Sequence, residues 1–402
     1  MAVSSGDTSW MLASTALVML MTPGLALFYG GMVRSKNVLS TMMHSFSCLG
    51  VVTVLWVLFG YSLSFGPDML GIIGTLDWFG LEGVGVEPGP YAPTIPHLLF
   101  CSFQLMFAVI TPALITGAFA ERLRFTSFVI FTAMWAVFVY FPVCHWVWGG
   151  GWLGRLGALD FAGGTVIHVN SGAAALAAAL VVGKRKGYRS EAFYPHNLTL
   201  TMFGAGLLWF GWFGFNAGSA LSSGSTASLA FMNTQVATAV AALSWITCER
   251  VIRSKPTSLG FASGAVAGLV AITPAAGYVT PMYSLIIGLA AGVLCYFAIL
   301  AKERFGYDDS LDVVGIHGAG GLWGAAATGL FASVGGAGLV SGNPRQLLVQ
   351  MTGALAVTLY SFVATSAILL AIGRVTKLRV EEEDEVQGLD LGEHGETGYS
   401  LR

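Results

Sequence analysis

Apolar residues run along this chain in long stretches, and polar residues gather in the short linkers between them. The stretches fall at 10–32, 42–64, 97–119, 125–147, 162–183, 197–217, 228–249, 259–274, 282–301, 314–334 and 346–373. Most are near the ~20 residues that a helix needs to cross a bilayer core. The pattern predicts an all-α membrane protein of eleven transmembrane helices. The run at 259–274 is short and rich in Gly and Ala, so its limits are the least defined. Basic residues test the count. With eleven crossings and the N-terminus outside, only Arg155 and Arg345 of the 19 Lys and Arg residues fall on the outer side. The excess of positive charge on cytoplasmic segments then predicts N-terminus out and C-terminus in.

Spans one to five and six to ten form two sets. An odd number of crossings per set reverses the second relative to the first, so the expected arrangement is an inverted five-plus-five repeat, with span eleven outside it. The fifth and tenth spans carry the same costly pattern. Asp160 leads to His168 through FAGGTVI, and Asp309 leads to His317 through SLDVVGI. An ionisable group inside membrane-grade sequence is a functional candidate by default. A pseudo-twofold axis would bring the two imidazoles face to face near the midplane. Paired neutral imidazoles can share a hydrogen bond and keep a further nitrogen toward a lumen. Asp160 carries two readings: electrostatic attraction of a cation at the outer entrance, or a carboxylate that caps the following helix. Asp309 is expected to be its inner counterpart.

Composition changes little in this picture. The chain is 402 residues, 55% hydrophobic and 10% charged, against about 25% charged for a soluble domain. A net charge of −2 with no basic face gives no sign of nucleic acid. The five cysteines lack paired spacing, and two histidines without a third ligand make a weak metal site. No cofactor is expected, and no enzyme motif stands in the polar segments. The N-terminus lacks a basic segment before its first apolar run, which fits a mature form or a chain inserted without a cleavable signal. Residues 1–380 read as the transmembrane domain. Residues 381–402 (EEEDEVQGLDLGEHGETGYSLR) are acidic and too polar for lipid, and read as a cytoplasmic regulatory tail. The glycines, 53 in all, let helix backbones approach closely.

Aromatic residues gather at the predicted outer mouth. Phe103 and Phe107 share a helix face, Trp148 ends the fourth span, and Phe215 and Ser219 end the sixth. A desolvated cation against such rings gains about 2 kcal/mol, and a hydroxyl can accept one hydrogen bond from it. Aromatics at helix ends also serve as interfacial anchors.

The segments TPGLALFYGGMVRSKNVLS, GAFAERLRF, HWVWGGGWL, GALDFAGGTVIHVNSG, GWFGFNAGSA and VVGIHGAGGLWG together resemble the Amt/Mep/Rh ammonium transporter family, most closely its bacterial Amt branch. The resemblance implies a homotrimer with one pore per subunit in the bacterial inner membrane. It implies an outer ammonium site at Phe107, Trp148 and Ser219, a stacked gate at Phe107 and Phe215, and pore histidines at His168 and His317. Tyr140 and Trp212 match further family positions near the outer vestibule. The tail GLDLGEHGETGY is similar to the family's regulatory tail, which implies a PII-type signalling partner at the cytoplasmic face. The expected activity is capture of ammonium outside, loss of its proton, and passage of ammonia through a hydrophobic pore with a separate, electrogenic proton. Two other classes stay open: a sensor that binds ammonium and signals, for which a fused signalling domain would be the cue, and a Rhesus-type neutral gas channel, against which the aromatic cation site argues.

Overall fold

The computed structural model describes residues 2–399. Helices occupy the places of the apolar runs: α1 (Ser5–Met32), α2 (Ser35–Phe65), α3 (His97–Phe119), α4 (Phe125–Leu156), α5 (Gly164–Val182), α6 (Leu198–Gly218), α7 (Ser225–Arg253), α8 (Ser258–Ile272), α9 (Pro281–Phe305), α10 (Val314–Phe331) and α11 (Pro344–Val375). Among the described residues, nine are long and apolar enough to cross a membrane. The expectation of eleven comparable spans is thereby modified at two. Helix α8 has only 15 residues. Helix α10 carries His317 and a run of glycines, which lower its hydropathy.

Local chemistry sets the helix starts. Ser4 caps α1 by accepting from the Asp7 N–H, Asn197 caps α6 through Leu200, and Thr257 caps α8 through Gly260. Each cap satisfies one orphan donor of a first turn. Proline opens α9 and α11, where its missing N–H costs nothing. Four helices contain π turns: Trp56–Gly60 in α2, Ala136–Tyr140 in α4, Gly164–Val169 in α5 and Val314–Gly318 in α10.

Packing is repeated along the chain. In the first set, α1 packs on α2 and α3, α2 on α3 and α4, α3 on α4 and α5, and α4 on α5. In the second set, α6 to α10 repeat every one of those pairings in the same order. The two sets meet through α1 against α6 and α5 against α10. Helix α11 lies outside the scheme, on α4, α5 and α10.

The linkers sort into two groups. At one end, Glu121 accepts from Arg34 and Asn37 and pairs with Arg185, which also pairs with Asp308. That network joins the α1–α2, α3–α4, α5–α6 and α9–α10 linkers. Burial opposes the charge on Glu121 and Asp308, but the guanidiniums beside them hold both carboxyls below their ordinary values. Arg122, fully buried, donates to the carbonyls of Ala118, Gly183 and Asp308 and to the Ser310 hydroxyl. At the other end, the 66–96 linker forms two hairpins, β1 (Asp68–Met69) with β2 (Ile73–Gly74) and β3 (Pro88–Gly89) with β4 (Ala92–Pro96). It meets the last turns of α4, where Asp68 pairs with His145 and Arg155.

The acidic tail is helical and docked among the basic linkers. It forms α12 (Glu382–Gln387) and α13 (Leu389–His394). Asp390 accepts from the backbone N–H groups of Leu39 (3.1 Å) and Ser40 (2.8 Å) in the first turns of α2, and Glu393 accepts from Phe125 (2.8 Å) at the start of α4. Anions at helix N-termini are favourable. Gly388, with φ +117°, sits against Lys36: a Cβ there would lie 2.6 Å from the Lys36 carbonyl oxygen.

Candidate functional site: an aromatic vestibule above paired histidines

Three cavities follow one another through the bundle. The first opens at the hairpin end, with a volume of about 380 Å³, and is lined by Gln104, Phe107, Trp148, Asp160 and Ser219 among others. The second is central and almost closed, with about 10 Å³ of room, the space of a single water at most. Its walls are apolar apart from the Tyr29 hydroxyl, the Trp212 indole N–H and the two imidazoles. The third, about 610 Å³, opens at the opposite end among Arg185, Arg189 and Lys302.

The vestibule is positioned by α3, the end of α4, the α4–α5 linker and α6. The Trp148 indole N–H donates to the Asp160 carbonyl (2.8 Å), which fixes the ring edge-on to Phe107 at 6.0 Å between centroids. Ser219 donates its hydroxyl proton to the Phe215 carbonyl (2.8 Å), so the lone pairs of its oxygen stay free to accept. Phe107 and Phe215 pack at 4.5 Å between centroids, tilted by 44°. Phe107 faces the vestibule and Phe215 the central cavity, so this pair separates the two. Phe103 packs edge-on to Phe107 at 4.8 Å and is fully buried; it supports the ring without lining either cavity.

The Asp160 carboxylate, on the vestibule wall, is engaged by backbone donors. It accepts four backbone hydrogen bonds, from Gly163, Gly164, Thr165 and Val166, at 2.6–3.0 Å. These are the orphan donors of the first turn of α5. Asp309 differs: its side chain accepts from Val314 at 2.7 Å, and its Oδ1 has no partner among the described residues. The two aspartates of the repeated spacing therefore do unequal work, because the turn after Asp160 folds back over its carboxylate.

Below the phenylalanine pair, His168 and His317 meet with Nδ1 to Nδ1 at 3.1 Å, their ring planes 19° from parallel. Both lie in π turns; the N–H of His168 reaches back five residues to Gly163. One Nδ1 must donate and the other accept, so the neutral pair holds opposite tautomers. Two protonated rings would oppose N–H to N–H, so the pair accommodates at most one extra proton. The Nε2 of His168 is buried without a partner among the described residues. Glycine makes the meeting possible: a Cβ on Gly172 would lie 2.3 Å from the Cα of Gly318.

A pattern across the whole chain accompanies this arrangement. The sequence signature of the Ammonium Transporter Family matches residues 9–399. The chain belongs to the ammonium transporter family. It is 54% identical over 400 residues to an ammonium transporter of Bacillus subtilis, covering 98% of both chains. It is 48% identical to the ammonium transporter Amt1 of Archaeoglobus fulgidus, covering 99% of this chain and 100% of that one. Among solved structures, the Candida albicans Mep2 crystal structure superposes with a TM-score of 0.89 at 38% identity, covering 95% of this chain and 88% of that one. A structure described as a sensor Amt protein superposes with a TM-score of 0.90 at 30% identity, covering 97% and 98%. This is a multi-pass membrane transporter fold of the ammonium family.

Two expected positions differ in place. Trp212 does not border the vestibule: its ring stacks on His168 at 5.4 Å, with its N–H on the Thr273 hydroxyl. Tyr140 lies in the α4 π turn, buried against Trp135 and Phe141 and outside all three cavities. Among the wall residues not singled out from sequence, Gln104, a turn before Phe107, is the one with an unpartnered buried amide oxygen among the described residues. A lone amide inside the apolar run FCSFQLMF was the signal.

Proposed function

We propose that this chain conducts ammonium across a bacterial plasma membrane as ammonia plus a separately moving proton. It crosses the bilayer eleven times as an inverted five-plus-five repeat with one added helix, N-terminus outside and C-terminus in the cytoplasm. The vestibule of Phe107, Trp148 and Ser219 holds the ammonium ion: two ring faces attract the charge and the Ser219 oxygen accepts one of its hydrogen bonds. Phe107 and Phe215 form the gate behind it. Ammonium and potassium are alike in size, so selection rests on what only ammonium can do, which is donate hydrogen bonds and give up a proton. Neutral ammonia then passes His168 and His317, whose shared hydrogen bond relays a proton or orients the ammonia. An apolar lumen rejects a dehydrated potassium ion by its desolvation cost. The protein works as a homotrimer, and its docked tail is the contact point for a PII-type signalling protein.

The single observation that carries this reading is the 3.1 Å imidazole pair at the end of a cavity too small for hydrated ions. The family supports ammonium as the cargo. The test is current on adding ammonium to proteoliposomes, with potassium and methylammonium as controls. Wild-type protein gives a saturable, voltage-dependent current. A folded variant with both imidazoles replaced by carboxamides loses it at least tenfold or passes potassium as well. Unchanged flux and selectivity in that variant overturn the role of the histidines. The likeness to a sensor leaves signalling as the second reading; binding without any flux in wild-type protein would favour it, and a voltage-independent ammonia flux would favour a neutral gas channel.

A further inference from the structure

The central and inner cavities share one lining residue, Leu311. Its side chain borders the histidine cavity on one side and the basic cavity on the other, and only 3% of it is exposed. Its seat is rigid. The Leu311 N–H donates to the Gly117 carbonyl of α3 (3.0 Å), and the neighbouring Ser310 hydroxyl donates to the Ala120 carbonyl (3.2 Å). Asp312 holds the turn after it with φ +64°, a conformation that non-glycine residues adopt only when their surroundings fix it. Lys302 secures that turn through an ion pair with Asp312 and a 2.8 Å hydrogen bond to the Asp309 carbonyl. Gly117 admits the loop: a Cβ there would meet Val313 at 2.7 Å and the Tyr29 ring at 2.8 Å.

We propose that Leu311 is an inner apolar closure which stops cytoplasmic water and its ions short of the histidine pair, and so sets ion exclusion from the inside as the phenylalanine pair does from the outside. The inference rests on the conduction reading above for its consequence, but its core claim concerns water access alone. The two large cavities are roomy and include charged or polar side chains in their walls, whereas the space between has room for one water at most. A continuous water column cannot form where a fixed isobutyl group fills the way. Shortening or polarising that group removes the barrier without touching the imidazoles.

Two readouts separate the claims. The first needs no transport. A Val266→Cys reporter on the wall of the central cavity is treated in inside-out vesicles with a hydrophilic, membrane-impermeant thiol reagent. With Leu311 present it reacts slowly. With Leu311→Ser, or with the milder Leu311→Ala should the serine variant not fold, it reacts at least tenfold faster. An unchanged rate in a variant that elutes as wild type overturns the proposal. The second readout is potassium leak in proteoliposomes: Leu311→Ala raises it at least fivefold relative to ammonium current, and Leu311→Phe lowers ammonium current at least threefold. Unchanged selectivity and flux in both again overturn the proposal. A wild-type protein that carries no ammonium at all sinks the conduction reading, and the labelling result still decides the role of Leu311.

Discussion

At the scale of single residues, two aspartates with the same spacing to a histidine face different physics. Asp160 accepts four backbone N–H groups within a protein interior. Replacing it by alanine leaves those donors without an acceptor, and each buried orphan costs about 1–3 kcal/mol. Asp160→Ala is expected to lower stability by several kcal/mol on that basis, and to loosen Trp148, whose N–H rests on the Asp160 carbonyl. The check is the thermal midpoint of detergent-solubilised protein; a midpoint within 2 °C of wild type would refute the capping role. Asp309 sits in the α9–α10 linker, where burial raises its carboxyl to about 6 against an ordinary value of 3.8. Between those values the folded protein keeps a proton that the unfolded chain releases. Its contribution to stability is therefore full below about pH 4 and is lost as pH rises through 6. The displacement of about two pH units corresponds to about 3 kcal/mol. The carboxamide of an Asp309→Asn variant stays neutral throughout. The variant is expected to be more stable than wild type at pH 7, with the difference vanishing toward pH 4. Thermal midpoints across that range decide it, and a difference that grows on acidification contradicts the sign.

At the scale of elements, the site depends on how closely α5 and α10 approach. The sequence motifs named His168 and His317 and the glycine-rich segments that bear them, and a duplicated arrangement foretold that the rings would meet. The π turns were not legible, because an extra residue in a turn leaves no mark in an apolar run. Trp212 is a different case: the family resemblance implied a place near the outer vestibule, whereas its ring stacks on His168. The approach itself is testable at Gly172. Adding one methyl group puts it 2.3 Å from the Gly318 backbone, so the helices must separate. Gly172→Ala is expected to cost about 1–3 kcal/mol, as overpacking does, and to cut ammonium current at least tenfold by parting the imidazoles. Gly50→Ala, where a Cβ meets nothing within 4 Å, is the control and should change neither. Equal currents in the two variants would show that ring contact does not depend on this crossing.

At the scale of the whole molecule, the apolar runs marked where the helices lie, and the repeated pairing of α1–α5 and α6–α10 agrees with a duplicated unit. What sequence could not supply was the tail's place. Its acidity suggested a cytoplasmic segment, but its partners include helix N-termini beside the basic side chains, and a first-turn N–H is invisible in a list of side chains. The linker network gives the orientation its clearest test. Arg34, Arg122, Arg185 and Arg379 all lie at the tail's end of the bundle, whereas the hairpins of 66–96 lie at the other. Leu70 in the hairpin linker is 88% exposed and Tyr194 in the α5–α6 linker 76%. Leu70→Cys should react in intact cells with a membrane-impermeant maleimide, and Tyr194→Cys only after permeabilisation. The native cysteines give little background, since four are buried and Cys248 is half-buried. Labelling of both from outside would break the eleven-crossing alternation; the reverse pattern would keep the fold but place the aromatic vestibule toward the cytoplasm. In that case capture and release exchange sides, and the cation site would face an interior from which the cell gains nothing by exporting ammonium.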